Sequence, residues 1–128
     1  MFSFENLVVY QKTRKLVKEV YQVQKQFPAE ERYALGDQIR RSMTSATYNL
    51  AEGSGRDSLK DKAHFCVIAF GSLMEAFSQL QTAQDLNYIS ENEVERLRPQ
   101  FEEVFKMLSG LKSSFEKKSL TFNHNTLN

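Results

Sequence analysis

The chain has few of the residues that cross-link or interrupt a fold. Its 128 residues include one cysteine, two prolines, five glycines and no tryptophan. Because Cys66 is alone, an internal disulfide and a cysteine-based metal site within one chain are both excluded, and a reducing, cytoplasmic location is expected. The scarcity of proline and glycine, together with almost no alternation of apolar and polar residues, predicts helices and no strands.

Long apolar runs and a dominant charge are also missing. No run approaches the roughly 18 residues that span a bilayer, and the N-terminus lacks the apolar segment of a signal peptide. We therefore expect neither membrane insertion nor secretion. The 17 basic and 16 acidic side chains leave a net charge of +1, which gives no whole-chain electrostatic argument for nucleic-acid binding.

Apolar residues do recur at alternating spacings of three and four in four segments, as in helices that are buried along one side. These segments cover residues 9–27, 35–50, 59–80 and 94–115. Because their connections are short, the sequence predicts an all-α fold, an antiparallel up-down four-helix bundle, as a single domain over residues 1–118. Residues 119–128 have no such period and are predicted to form a disordered tail.

Proline and glycine predict where the second helix begins, bends and ends. Pro28 cannot continue the first helix but suits the first turn of the second. Gly36 predicts a bend near residues 34–36, because glycine is unfavourable inside a helix. Gly53 and Gly55 are expected to end this helix, since glycine adopts the left-handed C-cap conformation at little cost.

A row of polar side chains lies beside the apolar stripe of the second helix. Its members recur every three or four positions and are Gln38, Arg41, Ser45, Asn49, Glu52 and Arg56. One interpretation is a hydrogen-bond network that fixes the register of the bundle, with Glu52 and Arg56 paired at i and i+4. The other is a contact site for a partner chain or RNA, formed by Asn49, Glu52 and Arg56. An interface network would satisfy both interpretations.

Small side chains predict that the second and third helices pack closely. The second helix carries Ser42, Ala46 and Gly53, and a row on the third helix consists of Phe65, Ala69, Ser72, Ala76, Gln79 and Ala83. Small residues let two helix backbones approach each other. The polar groups of the two helices are therefore expected to meet at this contact.

The first helix has a basic outer face. Its basic side chains are Lys12, Arg14, Lys15, Lys18 and Lys25. A solvated helix face is the plain interpretation. The alternative is an electrostatic footprint for RNA, in which Lys12, Arg14, Lys15 and Lys18 act together with Arg40 and Arg41.

No arrangement of residues typical of catalysis is present. The sequence contains no glycine-rich phosphate loop, no HExxH and no pair of Glu-x-x-His motifs. His64 and His124 are far apart in the chain, and Cys66 falls on an apolar stripe where a small buried thiol is ordinary. We therefore expect no enzymatic activity, no metal site and no cofactor.

Three runs carry a resemblance to a known family: FPAEERYALGDQIRRS, NLAEGSGR and HFCVIAFGSLMEAFSQLQTAQDLNYIS. They resemble the bacterial four-helix-bundle proteins encoded in intervening sequences of 23S ribosomal RNA genes, and the similarity extends over about residues 4 to 115. The most specific positions are Pro28, Glu31, Leu35, Gln38, Arg40, Arg41, Asn49, Ala51, Glu52, Gly53, Arg56, Gly71, Ser72 and Glu75. One position departs from the pattern, since Phe70 stands where family members commonly have arginine.

The resemblance implies a non-enzymatic up-down bundle that assembles into a ring, typically a pentamer, around a central channel. Members similar in fold are accessory subunits of diversity-generating retroelements, in which a basic pentamer binds the reverse transcriptase and its RNA. We therefore expect a homo-oligomeric scaffold with a protein partner, an RNA partner or both. The residues assigned to subunit or partner contacts are Gln38, Arg41, Asn49, Glu52, Arg56, Ser72 and Glu75. The alternative is an RNA-binding module that uses the basic face of the first helix with Arg40.

Overall fold

The computed structural model describes the backbone of residues 1–127 and the side chains of residues 1–121. Four helices account for most of this part of the chain: α1 (Val8–Gln24), α2 (Leu35–Ser54), α3 (Leu59–Asp85) and α4 (Glu91–Leu127). Short 3-10 turns at Ser3–Asn6 and Ala29–Glu31 precede α1 and α2. No strand occurs among the described residues, so the predicted all-α class is confirmed.

Each helix packs against two others, which makes a four-helix bundle. The contacts of α1 are with α2 and α4, and those of α3 are also with α2 and α4. Large side chains from all four helices meet in the core, among them Leu16, Ile39, Met43, Leu73, Leu80, Leu97, Phe101 and Leu108, each at most 1% exposed. Burying a side chain of this size contributes about 1.5–3 kcal/mol relative to leaving it exposed.

The chain bends near residues 34–36, as predicted, but the bend lies before α2 and not within it. The predicted start of the second helix at Pro28 is wrong, because only a 3-10 turn follows this proline. Pro28 precedes the 3-10 turn, and α2 begins only at Leu35, after Ala34 has left the helical conformation with φ −117° and ψ −107°. Gly36 is buried there. A Cβ at this position would lie 2.8 Å from the carbonyl oxygen of Glu31 and 2.9 Å from Nε2 of Gln24. Crowding in the bend therefore requires glycine at this position, against its low helix propensity.

Glu31 joins this corner to the connection between α3 and α4. Its Oε2 accepts a hydrogen bond of 3.1 Å from the backbone N–H of Leu35, in the first turn of α2. Its Oε1 accepts one of 3.0 Å from the hydroxyl of Tyr88. The carboxylate accepts this hydrogen bond from the neutral phenol and repels the phenolate, so it raises the pKa of Tyr88 above its ordinary value, chiefly through the hydrogen bond.

The two glycines at the end of α2 do not act as the sequence predicts. Gly55, the C-cap, is right-handed with φ −87°, and none of the described glycines has a positive φ. The predicted left-handed cap is therefore wrong. Gly53 is required instead by packing, because a Cβ there would lie 2.6 Å from the Cβ of Phe65 on α3.

The C-terminal segment also differs from the prediction. Helix α4 continues to Leu127, so the backbone of residues 119–127 is helical where the sequence indicates no regular structure. The apolar period does end before this segment, and the local backbone nevertheless extends the helix. Asn128 lies outside the described residues. The placement of a domain boundary at residue 118 stays a prediction.

Helix α3 is the most apolar of the four. An 18-residue window within it has a mean hydropathy of 1.2, so by length and composition this one helix of the described chain is able to cross a membrane. Core helices of soluble proteins pass the same test, and a third of this window is buried inside the bundle. The finding is weak support for a membrane span, and the expected cytoplasmic, membrane-free location stays a prediction.

Candidate contact surface on helices α2 and α3

Hydroxyl groups meet between α2 and α3, which are the two helices in most extensive contact. The Oγ atoms of Ser45 and Ser72 are 3.0 Å apart and share a hydrogen bond. Asn49 Nδ2 donates to the carbonyl oxygen of Ser45 at 2.8 Å and to its Oγ at 3.1 Å. Buried Ala46, Ala69 and Ala76 allow this close approach. The predicted meeting of polar groups between these helices is confirmed.

A shallow depression of about 250 Å³ opens beside this hydrogen bond. Its lining residues are Gln38, Arg41, Ser42, Ser45, Ser72 and Glu75. Four of the seven residues that the sequence assigns to contacts therefore share one depression, and Ser42 and Ser45 complete it. These two serines were recognised from the sequence only as part of the polar row and as small packing residues.

The side chains around the depression retain hydrogen-bonding capacity. The guanidinium of Arg41 is 80% exposed and makes one described ion pair, with Nε 2.9 Å from Asp37 Oδ2. Glu75 Oε1 accepts a 3.3 Å hydrogen bond from Gln79 Nε2, while Oε1 of Gln79 is buried without a partner. Opposite charges therefore stand on the two helices, and both are accessible.

Glu52 and Arg56 lie at the end of α2 and do not line the depression. Their predicted i, i+4 pair is confirmed, with Arg56 Nη2 2.8 Å from Glu52 Oε1. The guanidinium of Arg56 also covers the ring of Phe65, 5.0 Å from its centre. Both members of the pair are about half exposed. Their arrangement links the end of α2 to α3 and leaves a charged surface for contacts.

The outer face of α3 contains a glycine that the bundle itself does not require. Nothing lies within 4 Å of a Cβ built at Gly71, although glycine inside a helix costs about 1 kcal/mol relative to alanine. Gly71 lies one turn before Glu75, and Val67 and Met74 beside it are 47% and 48% exposed. The sequence signal for this feature is a glycine at a position off the buried stripe.

The predicted basic face of α1 is only partly available. Lys12 Nζ forms an ion pair with Glu103 Oε1 on α4. Arg14, Lys15 and Lys18 are exposed and have no ion pair among the described side chains. Arg14 lies over the ring of Tyr10, 5.9 Å from its centre.

Arg40 does not belong to this basic face. Its Nη1 donates to Oε1 of Gln24 at 2.7 Å, and its Nη2 donates to the carbonyl oxygen of Arg32 at 2.8 Å. The side chain is only 22% exposed and lies 3.8 Å from Asp37. These contacts tie α2 to the end of α1, so Arg40 holds the corner together.

The titratable side chains elsewhere in the described part of the chain are not grouped into a metal-binding cluster. Among the side chains of residues 1–121, no group of three His, Cys, Asp or Glu residues is placed to hold a metal ion. Cys66 is buried, and burial raises the pKa of its thiol from 9.0 to about 11. The thiol is therefore neutral near pH 7. His64 is exposed on α3, with its ring 6.2 Å from that of Phe65.

The fold and this surface define a class of protein: a small four-helix bundle with a polar seam and an exposed outer face on α3. Residues 5–110 match the family described as the 23S rRNA-intervening sequence protein, and the chain belongs to this family. The resemblance to this family that the sequence indicates is thereby confirmed. No curated protein matches the chain.

A solved structure supports the fold. It is the crystal structure of a protein of unknown function from the S23 ribosomal protein family of Bacteroides thetaiotaomicron VPI-5482. Its TM-score with this chain is 0.75 at 23% identity, and the alignment covers 82% of this chain and 98% of that one. At 23% identity this similarity establishes the four-helix-bundle fold alone, and the function of this chain has to be inferred from its own surface.

Proposed function

We propose that this protein is a non-enzymatic scaffold that assembles with copies of itself into a ring, five subunits in number as the resemblance implies, and that the ring binds a protein partner with or without RNA. The observation that carries the proposal is the open position of Gly71 beside the α2–α3 depression. A glycine at an exposed helix position without a packing need is explained when another backbone approaches there.

The surroundings of Gly71 have the composition of a subunit contact. Val67 and Met74 supply exposed apolar area, and Glu75 and Arg41 supply polar groups at its side. Interfaces commonly combine an apolar centre with a polar rim. In a ring each subunit uses two different surfaces, one for each neighbour. The α2–α3 surface is one of these, and Gln38, Asn49, Ser72, Glu52 and Arg56 extend its polar part.

The experiment compares two leucine substitutions by light scattering on a sizing column. Gly71→Leu places a side chain in open space, so the single chain folds and its helix gains up to about 1 kcal/mol, but a neighbour can no longer approach. Gly110→Leu is the matched control, because it is also helical and has nothing within 4 Å of its Cβ.

We expect the wild type and Gly110→Leu to have masses about five times the 14.8 kDa chain, and Gly71→Leu to have a lower mass with unchanged helicity. A monomeric wild type overturns the ring. An oligomer of the same mass in Gly71→Leu moves the subunit contact away from α3. If a partner protein binds Gly71→Leu and Gly110→Leu equally well, its binding site lies away from Gly71.

A second candidate is an RNA-binding module on α1, supported by the exposed Arg14, Lys15 and Lys18. Each phosphate contact adds about 0.7–0.9 to the slope of log affinity against log salt. Lys15→Ala with Lys18→Ala should therefore reduce the slope for a single-stranded RNA probe by roughly 1.5. Lys106→Ala on α4 is the control. RNA binding without salt dependence, or with an unchanged slope in the double variant, excludes this module.

A further inference from the structure

An apolar cavity of about 330 Å³ lies at the end of the bundle where α2 ends and α3 begins. Its walls come from the segment before α1 and from three helices, and they include Leu7 before α1, Leu50 of α2, Phe65 of α3, and Leu111 and Phe115 of α4. Its volume is within the range of about 300–1,000 Å³ that is usual for small-molecule sites. A ligand site in this cavity uses residues of a single chain and does not rest on the proposed ring.

The charged side chains that line this cavity are both lysines. Lys62 Nζ donates to the carbonyl oxygen of Ser54 at 3.3 Å. Lys118 is exposed and has no ion pair among the described side chains. No acidic residue lines the cavity. Its electrostatic character is therefore positive, and the charge is not neutralised by a neighbour in the wall.

We propose that this cavity binds a medium-chain fatty carboxylate, with the alkyl chain against the apolar walls and the carboxylate at Lys62 and Lys118. The apolar walls offer few partners for the hydroxyl groups of a sugar or the polar edges of a base, which would lose hydrogen bonds on entry. An alkyl chain loses none. The carboxylate in turn gains charge-assisted hydrogen bonds from the two ammonium groups.

Cys66 provides an internal reporter of occupancy. It is one of the residues lining the cavity, and it is the single cysteine of the chain. A ligand in the cavity covers the thiol from one side. The rate at which a thiol reagent modifies Cys66 therefore falls as the ligand binds, and no label needs to be added to the protein.

The experiment is a calorimetric titration of the full-length protein with decanoate, below the concentration at which decanoate forms micelles. We expect saturable binding of one decanoate per chain, with octanoate weaker by about fourfold for each methylene removed. Decanoate should also slow the modification of Cys66 in proportion to the fraction bound. Absence of binding, or binding that leaves Cys66 equally reactive, overturns the proposal.

Charge-removing variants test the role assigned to the lysines. The double variant Lys62→Met with Lys118→Met should bind decanoate at least about tenfold more weakly, while its affinity for the uncharged analogue decanol is unchanged. Lys112→Met with Lys117→Met is the matched control, because these α4 lysines do not line the cavity. An equal loss in both double variants indicates general charge attraction and overturns the assigned site.

Discussion

Gly53 packs so closely against Phe65 that a Cβ added to it would lie 2.6 Å from the Cβ of Phe65. Helices α2 and α3 therefore reach their observed separation only because residue 53 is glycine. The ring of Phe65 then lies under the guanidinium of Arg56, 5.0 Å from its centre. The side chain of Phe65 therefore contacts both the closely packed α2 at Gly53 and the guanidinium of the surface ion pair. The end of α2 combines packing and surface chemistry for this reason.

Gly53→Ala should destabilise the protein although it improves helix propensity. Overpacking costs about 1–3 kcal/mol, and alanine returns up to about 1 kcal/mol, so we expect a net loss of up to about 2 kcal/mol in urea unfolding. Gly110→Ala is the control and should be neutral or stabilising, because its Cβ meets nothing within 4 Å. Equal stability of the two variants contradicts the packing argument.

Glu52→Ala and Arg56→Ala should leave the stability of the single chain nearly unchanged. Both side chains are about half exposed, and exposed ion pairs contribute about 0–1 kcal/mol. If these residues contact a neighbouring subunit or partner, each substitution should alter the mass by light scattering or the affinity for the partner. Arg96→Ala, which breaks a comparable surface pair with Glu93, is the control. Unchanged assembly and binding in both variants removes them from the contact surface.

Glu31→Gln should lower the pKa of Tyr88 toward its ordinary value. The Glu31 carboxylate holds that pKa above 10.0 through a hydrogen bond and its charge. Because the folded pKa is the higher one, the contribution of Tyr88 to stability is complete below the unfolded pKa and disappears as pH rises through the folded pKa. An ultraviolet absorbance titration of the five tyrosines should show one transition at lower pH in the variant.

The control for this titration is Glu91→Gln, which changes an exposed carboxylate without a described side-chain hydrogen bond. Its titration curve should match that of the wild type. If the Glu31→Gln curve also matches, the contact between Glu31 and Tyr88 does not persist in solution.

Cys66 should make stability fall at alkaline pH. Burial raises the thiol pKa from 9.0 to about 11, so between these values the unfolded chain loses a proton that the folded chain keeps. The free energy of unfolding then decreases with rising pH by up to about 2 kcal/mol. Cys66→Ala should lack this component. Urea unfolding of both proteins across the interval measures it, and parallel pH profiles would contradict a buried neutral thiol.

Much of the fold followed from local patterns. The apolar periods correctly located four helices, because a side chain buried along one face must recur with the helical repeat. Small residues on two helices predicted that polar groups of α2 and α3 meet, although not that Ser45 pairs with Ser72, and spacing predicted the pair of Glu52 with Arg56. These relationships depend on residues that are close in sequence or on two strong patterns that fit each other.

Other features required the assembled bundle. The sequence predicted that Arg40 is part of a basic surface. In the structure its guanidinium instead donates hydrogen bonds to Gln24 and to the carbonyl oxygen of Arg32, across the corner. The cavity beside Phe65 is lined by residues from four separate segments of the chain, and no local pattern encodes their meeting.

The sequence by itself determined the helices, the apolar core and the membership of a family, because helical period and side-chain size act over a few neighbouring residues. The tertiary structure alone decided which glycine was needed for packing and which lay open. Gly53 and Gly71 are both glycines within helices, yet one faces Phe65 and the other faces no neighbour within 4 Å. That difference depends on the distance between separate helices, and only the packed bundle sets this distance.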